Sequence, residues 1–218
     1  MEEFVFAKEE LKPNKVTETL FVGVGGIGSD IVLRVANRCM PEEKTNMKFV
    51  AMDTDANELR KVKEGKENLV PVQTSSTQSV LDYLKSDSSA MKEWFPVNTT
   101  LYSKTVSEGA GQVRAISRLA LNATIKSGNI NALYNAIDEL FLKDGGDLKQ
   151  ALRVVVVSSV AGGTGSGIAM IVGMLIREYL HEHYREKAAI IRGYLLLPGV
   201  CDTFSPSESE RASLRRNG

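Results

Sequence analysis

The feature that most constrains the fold is a regular alternation of short apolar segments with amphipathic ones. Four consecutive valines within residues 152–157 are typical of a strand buried on both faces of a parallel sheet. Apolar residues recur at helical spacing from Ile130 to Phe141. The alternation predicts an α/β fold with a mostly parallel sheet. The predicted strands are 19–24, 47–52, 69–72, 152–157 and 188–197; the predicted helices are 30–40, 78–85, 112–126, 130–141 and one that ends near His181, while 98–102 is predicted to be extended.

Length and charge narrow the possible functions. The 218 residues are enough for one domain, or for the front part of a larger protein. Lys and Arg together number 27, and so do Asp and Glu, and this balance argues against nonspecific nucleic-acid binding. A phosphorylated ligand remains possible, because backbone amides at helix N-termini can hold phosphate without any basic side chain.

The sequence carries no signal for membrane binding or secretion. Its longest apolar stretches, 154–157 and 168–176, are shorter than the roughly 20 residues that a spanning helix needs. Residues 1–6 lack a basic segment followed by an apolar core. Cys39 and Cys201 lie far apart and match no zinc-binding spacing, which favours a reducing compartment. We therefore expect a cytoplasmic protein.

The first glycine-rich loop follows the first predicted strand, where ligands bind in parallel sheets. Residues 23–28 read Gly-Val-Gly-Gly-Ile-Gly and satisfy G-x-G-x-x-G, and Asp53 ends the next strand about 25 residues later, as in a dinucleotide-binding fingerprint. The loop also resembles the nucleotide loop of ubiquitin-activating-type adenylyltransferases. An NAD-binding or adenylyltransferase Rossmann enzyme that uses Gly23 to Gly28 is therefore one hypothesis, and a tight turn without a ligand is another.

A second glycine-rich loop, Gly162-Gly163-Thr164-Gly165-Ser166-Gly167, follows a different strand. Two such turns facing one crevice suit a polyphosphate held by amides and helix dipoles. On this hypothesis a side chain at Gly165 would occupy phosphate space. Neither turn carries the G-K-[ST] of a P-loop, and Ser166 lacks the G-x-S-x-G context of a hydrolase nucleophile.

The second loop, read from Ala161 to Gly167, resembles the glycine-rich signature of the tubulin/FtsZ GTPases, and the overall character is nearest to divergent bacterial tubulin-like proteins. Further segments are similar to that family in the same order: 23–29, 53–57 (Asp-Thr-Asp-Ala-Asn), 109–112 (Gly-Ala-Gly-Gln) and 198–203 (Pro-Gly-Val-Cys-Asp-Thr). The resemblance covers residues 19–218. It implies a Rossmann-like three-layer domain of the tubulin/FtsZ nucleotide-binding type, with GTP or GDP and Mg²⁺ as ligands.

The resemblance also implies roles for individual residues. Gly25, Gly26 and Ile27 would approach the α and β phosphates, and Gly163, Thr164, Gly165 and Ser166 would hold the β and γ phosphates, with Thr164 and Ser166 adding hydroxyl donors. Ala110, Gly111 and Gln112 would close over the γ phosphate and sense the nucleotide state, although Gln112 stands where the family has Asn. Asp53 and Asp55 would act on Mg²⁺, usually through water. Asp202 and Glu208 would contact the ribose, and Asn217 the guanine edge.

For the organisation of the protein, the resemblance implies an N-terminal extension over 1–18 and a GTP-binding domain over 19–218 that stops before a central helix and a C-terminal domain. No catalytic residue is assigned, because the family completes hydrolysis with a loop from the neighbouring subunit, absent from this chain. The leading hypothesis is a filament-forming GTPase that self-associates head to tail. A nucleotide-bound module that neither polymerises nor hydrolyses is a further alternative.

Overall fold

A computed structural model describes residues 17–63, 69–86, 93–96, 98–105, 109–142, 151–185, 188–201, 207–209 and 211–212. Its centre is a five-stranded sheet in the order β3-β2-β1-β4-β5, with every neighbouring pair parallel. The strands are β1 (Glu18–Val24), β2 (Met47–Asp53), β3 (Leu69–Gln73), β4 (Ala151–Ser159) and β5 (Ala188–Leu196). The predicted α/β class and parallel sheet are confirmed.

Helices connect the strands and cover the sheet. They are α1 (Gly25–Arg38), α2 (Pro41–Lys44), α3 (Ala56–Lys63), α4 (Val80–Ser86), α5 (Thr99–Tyr102), α6 (Arg114–Lys126), α7 (Asn131–Phe141), α8 (Gly163–His183) and α9 (Pro198–Cys201). No helix within the described ranges is long and apolar enough to cross a membrane.

Alternation along the strands divides the core between the two faces of the sheet, because successive side chains of a strand point to opposite sides. On one face, Leu20, Val50 and Val154 pack in one cluster with α7 and α8. On the other face, Phe49 and Val157 pack in a second cluster with residues of α1 and α3. The central strands are therefore apolar on both sides, and the polar loops follow at their carboxyl ends.

Two local predictions were wrong in detail. The first helix was predicted from residue 30, but α1 begins at Gly25, so the glycine-rich segment itself forms the first helical turns. Tertiary contacts override the low helix propensity of glycine here. The segment 98–102 was predicted to be extended, but Thr99–Tyr102 is a helical turn, because the Asn98 side chain caps it by accepting a hydrogen bond from the Thr100 N–H at 3.0 Å.

The edge of the sheet formed by β5 is open in the described part of the chain. β5 pairs only with β4 there, and its apolar side chains are largely exposed, including Ile190, Tyr194 and Leu195. The glycine-rich loops lie elsewhere, at the carboxyl ends of the central strands β1 and β4. This central position brings distant segments of the chain to one place.

Candidate functional site

A cavity of about 390 Å³ lies at the carboxyl ends of the central strands. This size falls within the range of small-molecule sites. Four segments enclose it: the start of α1, the segment after β2, the loop before α6, and the start of α8. Its lining residues are Val24, Gly25, Gly26, Ile27, Asp53, Thr54, Asp55, Glu58, Gly109, Ala110, Gly111, Gln112, Ser159, Gly162, Gly163, Thr164 and Gly165.

Two helix N-termini meet at this cavity. α1 begins at Gly25 and α8 begins at Gly163, and both residues line the cavity. Neither helix has a side-chain cap or an acidic residue in its first turn. The first N–H groups of a helix lack intrahelical acceptors, and the helix dipole adds partial positive charge there. The two termini therefore form an electropositive backbone surface suited to an anion.

The glycines of these two turns serve two different purposes. A Cβ on Gly165 would lie 2.6 Å from the Ser159 carbonyl oxygen, and one on Gly163 would lie 2.6 Å from the Gln112 Cα. Both positions need glycine because the protein's own backbone passes there. By contrast, a Cβ on Gly162 would meet nothing within 4 Å, and one on Gly26 would meet only carboxylate oxygens of Asp53 and Glu58 at 3.8 Å. Of these four glycines, Gly26 and Gly162 combine an open approach with a place in the cavity wall.

A chain of buried hydrogen bonds connects three of the enclosing segments. The Ala110 N–H donates to Thr54 Oγ1 at 3.0 Å, and Thr54 Oγ1 lies 2.7 Å from Thr164 Oγ1. The Thr164 hydroxyl in turn donates to Asp53 Oδ1 at 3.3 Å. All four residues are less than a tenth exposed. The loop before α6, the end of β2 and the start of α8 are therefore joined through side chains.

Asp53 is the most buried acid of the site, with 4% of its surface exposed. This burial raises the pKa of its carboxyl group above the ordinary value, although hydrogen bonds from the backbone of Asp55 and Thr54 and from the Thr164 side chain act in the opposite direction. An ionised Asp53 is therefore incompletely compensated within the protein. A cation next to it would relieve that cost.

The raised pKa predicts how stability depends on pH. Asp53 contributes its full stabilisation only below the unfolded-state value near 3.8, and that contribution is lost as the pH rises through the folded-state pKa. At neutral pH the ionised side chain costs stability. We expect Asp53→Asn to raise the thermal midpoint of the ligand-free protein at pH 7, with a smaller gain as the pH falls towards 4. Thermal unfolding of both proteins across this range measures the difference, and a gain that does not change with pH would contradict the prediction.

The loop before α6 contains a tight turn. The Val113 N–H donates to the Ala110 carbonyl oxygen at 2.9 Å, and both central residues have positive φ, 52° at Gly111 and 62° at Gln112. This is the pattern of a type I′ turn. A left-handed conformation costs a residue with a side chain about 1–2 kcal/mol, so the contacts around Gln112 must hold it in place. One such contact is the close approach of its Cα to Gly163.

Three carboxylates, from Asp53, Asp55 and Glu58, line one side of the cavity. One Asp55 oxygen accepts the Asn57 N–H at 2.8 Å, and Glu58 pairs with Lys61 at 2.6 Å. The described residues contain no cluster of His, Cys, Asp or Glu that could hold a metal ion by itself. Mg²⁺ commonly takes one or two carboxylates together with substrate phosphates and water, and the buried charge of Asp53 fits that arrangement.

The structure brings together most of the residues predicted from the sequence. Those at the cavity are Gly25, Gly26, Ile27, Asp53, Asp55, Ala110, Gly111, Gln112, Gly163, Thr164 and Gly165. Ser166 is not in the lining, and its hydroxyl donates to the Gly162 carbonyl oxygen. Glu208 is exposed and does not line the cavity, while Asp202 and Asn217 lie outside the described residues. The Thr164 and Ser166 hydroxyl groups both donate hydrogen bonds to protein atoms here. Their predicted contacts with phosphate remain predictions.

Thr54 and Glu58 are cavity residues that the sequence analysis did not select. A signal for each was present. Thr54 stands between two acids directly after a strand, and Glu58 follows Asp55 by three residues at the start of a helix, which places both on the same side of the chain.

Comparison with known proteins places this chain in a family. The family model described as "Tubulin like" matches residues 20–218. Among curated proteins, none matches the chain by sequence.

Solved structures similar to this one include the TubZ of Bacillus thuringiensis serovar israelensis in a GTPγS-form protofilament, with 11% identity, a TM-score of 0.51, and coverage of 92% of this chain and 40% of that one. CetZ from Methanosaeta thermophila strain DSM 6194 is 17% identical with a TM-score of 0.45, over 92% of this chain and 42% of that one. The GDP-bound CetZ1 monomer from Haloferax volcanii is 18% identical with a TM-score of 0.47, over 92% and 46%. This chain thus spans less than half the length of each of these proteins.

Proposed function

We propose that this chain, which belongs to the tubulin-like family, is a guanine-nucleotide-binding domain. The observation that carries the proposal is the meeting of two uncapped helix N-termini at one cavity. Within the described chain, the cavity lining includes no Lys or Arg. In the lining itself, backbone N–H groups and helix dipoles would therefore contact the phosphates.

The arrangement suits a polyphosphate better than a single phosphate. The N-terminus of α1 would take the α and β phosphates, through Gly25, Gly26 and Ile27. The N-terminus of α8 would take the β and γ phosphates, and the turn at Gly111 would close over the γ phosphate. The similar TubZ structure is a GTPγS-form protofilament, which supports guanine as the base.

The runner-up function is a Rossmann enzyme that binds NAD or an adenylate. The strand order and the acid at the end of β2 favour it. However, that hypothesis uses only the first glycine turn, and the second turn lines the same cavity. Calorimetric titration with GTP, ATP and NAD distinguishes the two proposals. Tighter binding of ATP or NAD than of GTP would reject the guanine nucleotide.

We propose that Mg²⁺ binds with the nucleotide, near Asp53 and Asp55. It would supply charge neutralisation of the phosphates, and Asp53 would contribute a carboxylate whose burial already favours a nearby cation. The amides of the two helix N-termini would hold the phosphates independently of the metal.

Because the carboxylates would bind the metal and the amides the phosphates, the effect of losing the carboxylates on GTP affinity should depend on Mg²⁺. Replacing Asp53 and Asp55 together by Asn should weaken GTP binding about tenfold in the presence of Mg²⁺, and much less in chelator, because the carboxylates act through the metal or its waters. Titrations with and without Mg²⁺ measure both losses. Equal losses in the two conditions would show that these acids support the turn or the ribose instead.

For hydrolysis, we propose that water is positioned at the contact between head-to-tail subunits, by a segment outside these 218 residues. Positioning of this kind contributes several kcal/mol to a reaction barrier, and a phosphate site alone leaves the water unoriented. The protofilament form of TubZ supports such an association. We further propose that residues 1–18 form an N-terminal extension and residues 19–218 the nucleotide-binding domain. We also propose that the protein is cytoplasmic.

The shared site predicts slow turnover by this chain alone. We expect GTP to bind but phosphate release to stay slow, with a specific activity that is constant as the protein concentration rises. A longer chain that includes the proposed segment should become more active per subunit with concentration. Phosphate release over a wide concentration range tests both chains, and rapid turnover by the 218-residue chain at high dilution would refute the shared site.

A further inference from the structure

We infer that Thr54 is a positioning residue that holds the loop 109–112 at the edge of the cavity and thereby sets the preference for a nucleoside triphosphate over a diphosphate. The nucleotide part of this inference rests on the proposed function. Thr54 is 1% exposed, so its hydroxyl group bonds with protein atoms and not with bulk solvent. It lies between the acid of β2 and the first turn of α8.

The directions of the hydrogen bonds allow Thr54 to connect the start of α8 with the loop 109–112. A carboxylate only accepts, so the protons of the two hydroxyl groups run towards Asp53. Thr164 donates to Asp53 at 3.3 Å, and Thr54 lies 3.4 Å from the same oxygen and 2.7 Å from the Thr164 hydroxyl. In either arrangement of the two protons, the Thr54 oxygen keeps a lone pair for the Ala110 N–H.

The loop depends on this bond at one end and on a steric contact at the other. Ala110 is 4% exposed, so its N–H would pay the full cost of burial if the Thr54 oxygen were removed. At the far end, Gln112 rests against the backbone of Gly163. Positive φ at Gly109, Gly111 and Gln112 makes the intervening backbone unusual for an unsupported loop. Thr54 therefore holds the Ala110 end of the loop through this hydrogen bond.

The selectivity follows from where the loop lies. It borders the start of α8, where the γ phosphate is proposed to bind, through the contact of Gln112 with Gly163. The proposed diphosphate contacts of α1 belong to a different segment of the lining. Loss of the Thr54 hydroxyl should therefore affect binding of a triphosphate and leave a diphosphate nearly unaffected.

The test uses Thr54→Val, which removes the hydroxyl at almost constant volume, and Thr54→Ser, which restores it. A matched control is Thr124→Val, because Thr124 is also buried and accepts a backbone N–H, that of Ser75 at 3.2 Å, outside the cavity. Two readouts are taken: amide hydrogen exchange at Ala110 without nucleotide, and the affinities for GTPγS and GDP.

We expect Thr54→Val to accelerate exchange at Ala110 about tenfold and to weaken GTPγS about tenfold, with GDP changed less than about twofold. Thr54→Ser should return both readouts to near wild-type values, and Thr124→Val should leave both unchanged. If Thr54→Val does not fold, Thr54→Ala removes the same hydroxyl with a smaller side chain and should act in the same direction.

Unchanged exchange at Ala110, or equal losses for the two nucleotides, would overturn the inference. A wild-type protein that binds neither nucleotide would reject the proposed function instead. In that case the exchange at Ala110 still decides whether Thr54 holds the loop.

Discussion

Replacing Gly26 by valine is expected to weaken GTP binding by about 100-fold or more while the protein remains folded. Gly26 lines the cavity in the first turn of α1, and a Cβ there would meet only the oxygens of Asp53 and Glu58, at 3.8 Å. A Cβ would therefore fit the ligand-free protein, and the methyl groups of valine are expected to occupy space that the phosphates need. The free energy of unfolding should change by less than about 1 kcal/mol, since glycine and valine differ little in helix propensity.

A matched control separates this effect from a general effect of valine in a helix. Gly173 lies in α8 outside the cavity, and a Cβ there would meet nothing within 4 Å. Gly173→Val should leave GTP binding unchanged. Calorimetric titration and thermal unfolding of both variants provide the measurements. Normal GTP binding by Gly26→Val, or an equal loss in both variants, would show that the α1 turn is not the phosphate site.

The second large effect is on folding. Gly165→Ala should lower the free energy of unfolding by about 3 kcal/mol or more, and Gly165→Val should prevent folding. A Cβ at this position would collide with the Ser158 side chain and would lie 2.6 Å from the Ser159 carbonyl oxygen and 3.1 Å from that of Val24. These atoms belong to the ends of two central strands, which cannot move apart without breaking the sheet.

Gly162→Ala is the control for this prediction, because a Cβ there would meet nothing within 4 Å although the residue lies three positions away in the same turn. Its free energy of unfolding should stay close to that of the wild type. Chemical denaturation monitored by circular dichroism measures both variants. If Gly165→Ala unfolds at the same denaturant concentration as the wild type, the close packing of the two turns is not needed for stability.

Gly165 also shows what could not be predicted from the sequence. From the sequence, a side chain at Gly165 was expected to occupy phosphate space. The structure points it at the protein's own backbone, so a loss of binding in that variant would report on folding and not on the phosphate site. Gly26 and Gly165 look alike in the sequence, since each belongs to a glycine-rich turn after a strand, and only their neighbours in space distinguish them.

The sequence by itself determined the fold class, the parallel strands and the positions of the loops. Hydrophobic periodicity is a local property, and it decides which segments become strands or helices and which of their faces are buried. Because carboxyl ends of parallel strands share one edge, the sequence also indicated that Asp53, Gly111 and Gly163 would meet there, as they do at the cavity.

Only the tertiary structure decided what those residues do to one another. It placed Thr54 against Thr164, which is 110 positions away, and against the backbone of Ala110. It started α1 and α8 within the glycines and packed the two turns closely, so that a Cβ added to Gly25 would lie 3.0 Å from the Gly165 nitrogen. It also buried Asp53 and so raised its pKa. Burial, distance and hydrogen-bond direction depend on segments far apart in the chain, and no local pattern of residue types encodes them.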